Sequence, residues 1–289
     1  MIGFAARGAL DEDTGLLGNL RAAALLAAFV FTTILIIPPQ WLAVRYGWPY
    51  MKTLPLWYFR LICRIVGIRV RVAGNPVTDS GVLIAANHTS WLDMPVLGAC
   101  VPLSFVAKSE VRTWPFFGLC AQINRTVFVE RSARVKTGEQ RDEIAARIKG
   151  GDAIVLFPEG TSSDGNRVLT FNSALLGAAQ MKIPANGGER DVPVQPVSVA
   201  YTRLHGMPMG REFRPFFAWY GDMDLVPHLW EAFALGPIDV LVEFHKPLTV
   251  TECGGRKALA QEAQRVITQA VIAALNGNVA QPPPVAKKR

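Results

Sequence analysis

Charge is missing from the start of this chain. Between Ala22 and Val44 there is no Asp, Glu, Lys or Arg, and from Arg45 to Val72 there is no acidic residue. A soluble surface helix does not tolerate the first gap. It holds an uncharged run, Ala22–Ile37, apolar but for Thr32-Thr33 and closed by Pro38-Pro39, and its length approaches the roughly 20 residues that cross a hydrocarbon core. We read 1–21 as an N-terminal tail and 22–44 as a membrane anchor. A cleaved secretory signal is the competing reading, but Asp11, Glu12 and Asp13 precede the run and no Ala-x-Ala-like site follows it. The second gap carries Arg45, Lys52, Arg60, Arg64, Arg69 and Arg71 among Trp57, Tyr58, Phe59, Leu61, Ile62 and Ile65. With Arg60 and Arg64 one helical turn apart, residues 49–72 are expected to form a basic helix in a lipid headgroup region. An ordinary core helix with two solvated arginines is the alternative. Basic residues flanking the anchor put the body on the cytoplasmic side of an inner membrane.

Cysteine and histidine are scarce as well, four of each in 289 residues. The cysteines are widely spaced with no CxxC pair, so neither a disulfide framework nor a zinc knuckle is encoded, and reduced thiols facing a cytosol are expected. His205, His228 and His245 have no metal-ligand spacing, which argues against a metal hydrolase. The net charge of +7 calls for an anionic partner. No basic cluster adjoins a nucleic-acid reading motif, so that partner is an anionic membrane surface rather than nucleic acid.

Beyond residue 72 short apolar runs alternate with amphipathic ones. "GVLIAA" (81–86), "LSFVA" (103–107), "TVFVE" (126–130), "AIVLF" (153–157), "VQPVSVA" (194–200) and "DVLVEF" (239–244) read as strands. "TGEQRDEIAARIKGG" between them reads as a helix ending at Gly150-Gly151. The alternation predicts an α/β domain over 73–275, a layered, largely parallel sheet with flanking helices, and a ligand site at the carboxyl ends of the strands. Residues 276–289 read as a disordered basic tail.

Two segments follow such strand ends. The first is "NHTSWLD" (87–93). On one continuous helix His88 and Asp93 would lie roughly 140° apart and could not meet. If a capping box starts the helix at Ser90, His88 sits on the preceding turn, and Asp93, in the first helical turn, points back towards it. The pair is then a candidate dyad for taking a proton, the alternative being a loop histidine satisfied by a capping carboxylate. The second is "PEGTSSDGNR" (158–167), in which Gly160 permits close backbone approach and Thr161 adds a hydroxyl. Such a loop can offer N–H groups to an anion, or it is a plain turn.

Together and in this order, Asn87-His88 with Asp93 and Phe157-Pro158-Glu159-Gly160-Thr161 resemble the NHxxxxD and FPEGT motifs of the glycerolipid O-acyltransferases, the lysophosphatidic acid acyltransferase family. "NRTVFVER" (124–131) and "VPVQPVSVA" (192–200) resemble two weaker blocks, so the resemblance covers roughly residues 55–205. It implies a glycerolipid acyltransferase-like fold and transfer of an acyl chain from acyl-ACP or acyl-CoA, as co-substrate without any cofactor or metal, to a lysolipid hydroxyl. His88 would be the general base and Asp93 its orienting partner. Lys108, Arg131, Glu159, Gly160 and Thr161 would bind substrate. The chain departs from the family where the phosphatidic-acid-forming members continue FPEGT with Arg-Ser, since it has Ser162-Ser163, and it has Glu130 where Asp is common. A phosphate would then rely on Arg131 with Lys108, Arg125 or Arg167. Lysophosphatidic acid is the first expectation for the acceptor, and lyso-ornithine lipid or another phosphate-free lysolipid the second. A non-catalytic, membrane-tethered binder of lipid or acyl carrier is the alternative from another class.

Overall fold

Apolar runs without alternation belong to strands covered on both faces, and this is what the computed structural model shows for residues 15–129, 136–185 and 188–278. Helix α1 (Leu16–Arg45) leads through a 3-10 turn at Pro49–Met51 to helix α2 (Leu54–Val66), strand β1 (Ile68–Gly74) and strand β2 (Val82–Ala86). Then come α3 (Asp93–Gly98), β3 (Ser104–Lys108), α4 (Phe117–Ile123), β4 (Val127–Val129), α5 (Lys136–Lys149) and β5 (Ala153–Leu156). A 3-10 stretch at Ser173–Gln180 precedes the hairpin of β6 (Lys182–Ala185) and β7 (Gly188–Asp191). The chain closes with β8 (Val194–Leu204), β9 (Met207–Pro208), α6 (Leu225–Leu235), β10 (Ile238–Phe244), α7 (Val250–Cys253) and α8 (Arg256–Leu275).

The main sheet runs β1-β10-β8-β2-β5-β3-β4, with β9 added to β8. From β8 to β4 all neighbours are parallel, whereas β10 runs antiparallel to β8 and carries β1 parallel to itself. Every residue of β2 is buried. One face of the sheet, through Ile84, Val155, Val197 and Val242, packs under α1, α2, α3 and α6. The other, through Leu83, Ile154 and Val194, receives Ile144 and Ile148 of α5 and Leu259, Ala263 and Ile267 of α8. The molecule is thus a three-layer α/β structure.

Three expected boundaries are corrected. The basic helix ends at Val66 rather than at residue 72, because Gly67 takes φ +86 and closes it. Ile68 to Val72 then alternates as Ile-Arg-Val-Arg-Val, the period of a strand, and pairs with β10. Arg69 and Arg71 lie 3.4 and 3.6 Å from buried Asp239, so they serve the sheet rather than a headgroup layer. The sheet therefore begins at Ile68, before residue 73. The first helix starts at Leu16, inside the stretch read as tail. Residues 1–14 and 279–289 lie outside the described residues.

Helix α1 is apolar enough to enter a membrane, with a mean hydropathy of 2.3 over its most apolar 18 residues, of which 17% are buried. It is nonetheless docked along its length. Ala22, Phe29, Thr33, Gln40 and Ala43 are buried, Arg21 Nη1 donates to Phe233 O at 2.6 Å, and Gln40 Nε2 donates to Met51 O at 3.0 Å and Ile123 O at 2.9 Å.

Candidate active site

Register builds the site. Ala85 of β2 lies opposite Leu156 of β5, and the two strands are parallel, so the segments that follow them leave the sheet side by side. This brings Asn87-His88 against Phe157-Pro158-Glu159 although 70 residues separate them in sequence. On the other flank Ala86 pairs with Val197 of β8. The Asn87 side chain continues that ladder, its Nδ2 donating to Val199 O at 2.9 Å while its Oδ1 accepts from Val199 N at 2.8 Å. The carboxyl-end location expected from the strand pattern is the observed one.

Asp93 is fully buried and receives four hydrogen bonds. Oδ2 accepts from His88 Nδ1 at 2.8 Å, Thr89 N at 2.7 Å and Ser90 N at 2.9 Å, and Oδ1 accepts from Tyr201 Oη at 2.7 Å. Burial, then the neighbouring Asp93 charge, holds the Tyr201 phenol well above its ordinary pKa, so it remains a donor. With the carboxylate filled by donors, His88 Nδ1 carries the hydrogen and Nε2 is left as acceptor. The imidazole is fixed a second time by stacking on Phe157, centroids 4.0 Å apart and planes 16° apart. Such an arrangement can take a proton from a hydroxyl and return it to a leaving group. The helix begins at Asp93 instead of Ser90. Only the reverse half of the expected capping box forms, carboxylate to Ser90 N, and the Ser90 hydroxyl takes no part.

Within the PEGT loop, Gly160 and Thr161 line the cavity beside His88, whereas Glu159 is turned away from it. Glu159 is buried with both oxygens occupied, Oε1 by His88 N and Oε2 by Leu169 N, each at 2.9 Å. Burial raises its carboxyl to about 7, with Asp93 adding to the rise and the two N–H donors opposing it. Glu159 therefore binds the two loops together rather than facing a ligand. Gly160, at φ +72, donates its N–H to Phe157 O at 3.1 Å, and Ser163 N donates to His88 O at 2.9 Å. Thr161 is exposed at the cavity rim, and the Ser162 hydroxyl donates to Trp219 O.

His88 opens into an apolar cavity of ≈ 420 Å³ that runs beneath α1 and α2 past Thr33, Tyr58, Phe59 and Phe105 to Gln40, Ile123 and Asn124. Lys108, exposed at the end of β3, lines the same cavity near Glu110. Arg131 and Glu130 lie outside the described residues. Arg125, a candidate phosphate ligand by sequence, lies elsewhere: with Lys52 and Arg147 it surrounds Asp152 at 2.7, 2.6 and 3.0 Å. Burial opposes ionisation of Asp152, but these cations hold its pKa below the usual value. Arg167 pairs instead with Asp164, at 3.8 Å. Burial pushes the Cys63 and Cys100 thiols up to about 12 and Cys120 to about 11, so none of the three is a ready thiolate. Among the described residues no cluster of three or more His, Cys, Asp or Glu could hold a metal ion. Sequence reasoning missed Tyr201 and Trp219. The first adjoins the "VPVQPVSVA" block, but neither carries a local signal of its own.

The sequence profile described as Acyltransferase matches residues 68–200. A lyso-ornithine lipid O-acyltransferase of Brucella abortus (strain 2308) is 46% identical over 262 residues, 91% of this chain and 98% of the relative. A 1-acyl-sn-glycerol-3-phosphate acyltransferase of Neisseria gonorrhoeae is 30% identical over 72% of this chain and 75% of its own length. The crystal structure of the lysophosphatidic acid acyltransferase PlsC from Thermotoga maritima superposes with a TM-score of 0.65 at 22% identity, covering 93% of this chain and 99% of that one, and so shares the fold. With this match the resemblance of the NHxxxxD and FPEGT segments becomes membership: the chain belongs to the acyltransferase family that acts on lysolipids.

Proposed function

We propose that the protein transfers an acyl chain from a thioester, acyl-ACP or acyl-CoA, to the free hydroxyl of lyso-ornithine lipid at a membrane surface facing the cytoplasm. The observation that carries the chemistry is His88, held by buried Asp93 at 2.8 Å and opening into the apolar cavity. His88 Nε2 takes the hydroxyl proton as the oxygen attacks the thioester carbonyl. The tetrahedral adduct collapses with cleavage of the C–S bond, and the proton passes from His88 to the departing sulfur. No acyl-enzyme is formed and no cofactor enters. The cavity is suited to the acyl chain, and Asp93, with Tyr201 behind it, keeps the tautomer and offsets the imidazolium charge.

The 46% relative reorders the two acceptors expected from sequence and puts the ornithine lipid first. Lysophosphatidic acid is retained as the second reading because Lys108 lines the cavity and the 30% relative is named for that reaction. Purified full-length protein, given an acyl thioester and each acceptor in parallel, decides by ester product and thiol release. Turnover of the ornithine acceptor at least tenfold more efficient in kcat/KM is expected. Preference for lysophosphatidic acid reverses the assignment, and no transfer to either lipid removes it.

A further inference from the structure

We infer that Trp219, with Trp114 set edge-on beside it, forms a headgroup subsite that receives the cationic amine of the acceptor. This rests on the ornithine-lipid reading and names the residue that selects for it. Both tryptophans line the cavity that holds His88, their rings with centroids 6.1 Å apart and planes at 86°. The Trp219 backbone is joined to both loops of the site. Its N–H donates to Thr89 O at 2.9 Å, one residue from His88, and its carbonyl accepts from the Ser162 hydroxyl. Its indole N–H donates to Met223 O at 2.8 Å. With that donor taken, the aromatic surface is what the side chain still offers a ligand, and such a surface attracts ammonium and repels phosphate oxygens.

The charges agree. Apart from His88, the described residues lining the cavity include one cation, Lys108, and one acidic residue, Glu110. An acceptor bearing a phosphate monoester would bring nearly two negative charges to a balanced wall. An N-acylated ornithine bears one carboxylate and one ammonium and needs one partner of each sign. Lys108 suits the carboxylate, and the Trp219 and Trp114 rings, with Glu110, suit the ammonium. Ser162 keeps its loop neutral while holding Trp219 in place.

The test uses full-length protein in mixed micelles and three forms of lyso-ornithine lipid: free amine, δ-N-acetyl and δ-N-trimethyl. Acetylation removes the charge, whereas trimethylation keeps it and removes the N–H donors. Wild-type kcat/KM should fall about 3- to 30-fold on acetylation, the span of one cation–aromatic contact, and should hold within about threefold on trimethylation. Trp219→Leu, which keeps apolar bulk, should lose the discrimination between free and acetylated amine, and Trp219→Phe should retain most of it. Ser162→Arg, which adds a cation and releases Trp219, should move the acceptor ratio towards lysophosphatidic acid. Because each enzyme serves as its own reference, partial loss of folded protein cancels from these ratios. Equal use of the acetylated lipid by wild type overturns the subsite, as does undiminished discrimination in Trp219→Leu. Turnover of lysophosphatidic acid with none of the ornithine forms overturns the acceptor reading itself and is distinct from both.

Discussion

His88 donates one nitrogen to Asp93 and leaves the other open, so the two residues fail in different ways. His88→Ala should lower kcat about 10²- to 10⁴-fold, the range of a lost general base, with a smaller loss of stability than Asp93→Asn, because it removes the stack on Phe157 and one of four bonds to Asp93 and leaves the other three donors paired. Asp93→Asn should lose activity and stability together, since an amide cannot accept from all four donors that surround the carboxylate. Each buried donor left unpaired costs about 1–3 kcal/mol. Thiol release and denaturant unfolding, run on both variants, separate the two outcomes. Glu159 behaves differently again. Its folded carboxyl lies near 7, raised chiefly by burial from 4.5, so between those values the folded state binds more protons than the unfolded one. Its contribution is present in full below about 4.5 and falls as pH rises through about 7. Relative to Glu159→Gln, wild type should therefore lose stability between pH 5 and pH 8, and a wild type that gains stability relative to the variant as pH rises would contradict the burial argument. The His88 and Asp93 pairing was legible in sequence because the two residues lie five apart across one strand-to-helix connection, where Asp93 at the helix start points back to the turn that holds His88. The Tyr201 and Glu159 contacts were not, since each joins the pair only through strand register set far along the chain.

Helices α1 and α2 were legible as apolar and basic segments, yet composition could not say what lies against them. A free anchor and a docked helix have the same hydropathy. The buried positions Ala22, Phe29, Thr33, Gln40 and Ala43 recur at spacings of three, four and seven residues, which is one face of a helix. Phe29 meets Phe116 and Phe233 edge-on, at 6.4 and 6.2 Å between centroids. Phe29→Ala should thus cost about 3–5 kcal/mol, as a buried aromatic does, when unfolding is followed in detergent. A loss near zero would mean that α1 is a tether independent of the fold. The same docking means that removing α1 would uncover Phe233 of α6 as well as detach an anchor. The strand Ile68–Gly74 was hidden for a related reason. Its arginines continue the basic pattern of α2, and its partner β10 lies about 170 residues later in the chain, beyond the reach of any local pattern.

At the scale of the whole molecule the docked stripe of α1 leaves the opposite side uncovered. Phe31, Ile34, Leu35 and Trp41 are 64%, 54%, 59% and 52% exposed, and Trp57 and Leu61 of α2 follow at 61% and 44%. At 100° per residue, Phe31, Ile34, Leu35 and Trp41 point about 120–240° away from Phe29, so burial in the domain and exposure cannot both be satisfied by water. A lipid layer would satisfy them, and on the proposed function it would set the His88 cavity, which passes beneath α1 and α2, beside the phase that carries the lysolipid. The basic residues contribute less than a headgroup helix would suggest. Arg60 donates to Ala99 O at 2.9 Å and lies over Trp57, Lys52 is held by Asp152, and Arg69 and Arg71 face Asp239. Membrane binding should accordingly depend on apolar contact more than on charge. The double variant Phe31→Asp with Leu35→Asp removes two large apolar side chains worth about 1.5–3 kcal/mol each on transfer from water. Its partition onto phospholipid vesicles should fall about 10²- to 10⁴-fold, with the unfolding midpoint unchanged because both positions lie off the docked face. Half-molar salt should weaken wild-type binding far less than this substitution does. Cosedimentation with vesicles at low and high salt measures both, and a protein released by salt but indifferent to the two aspartates would place the electrostatic contacts first.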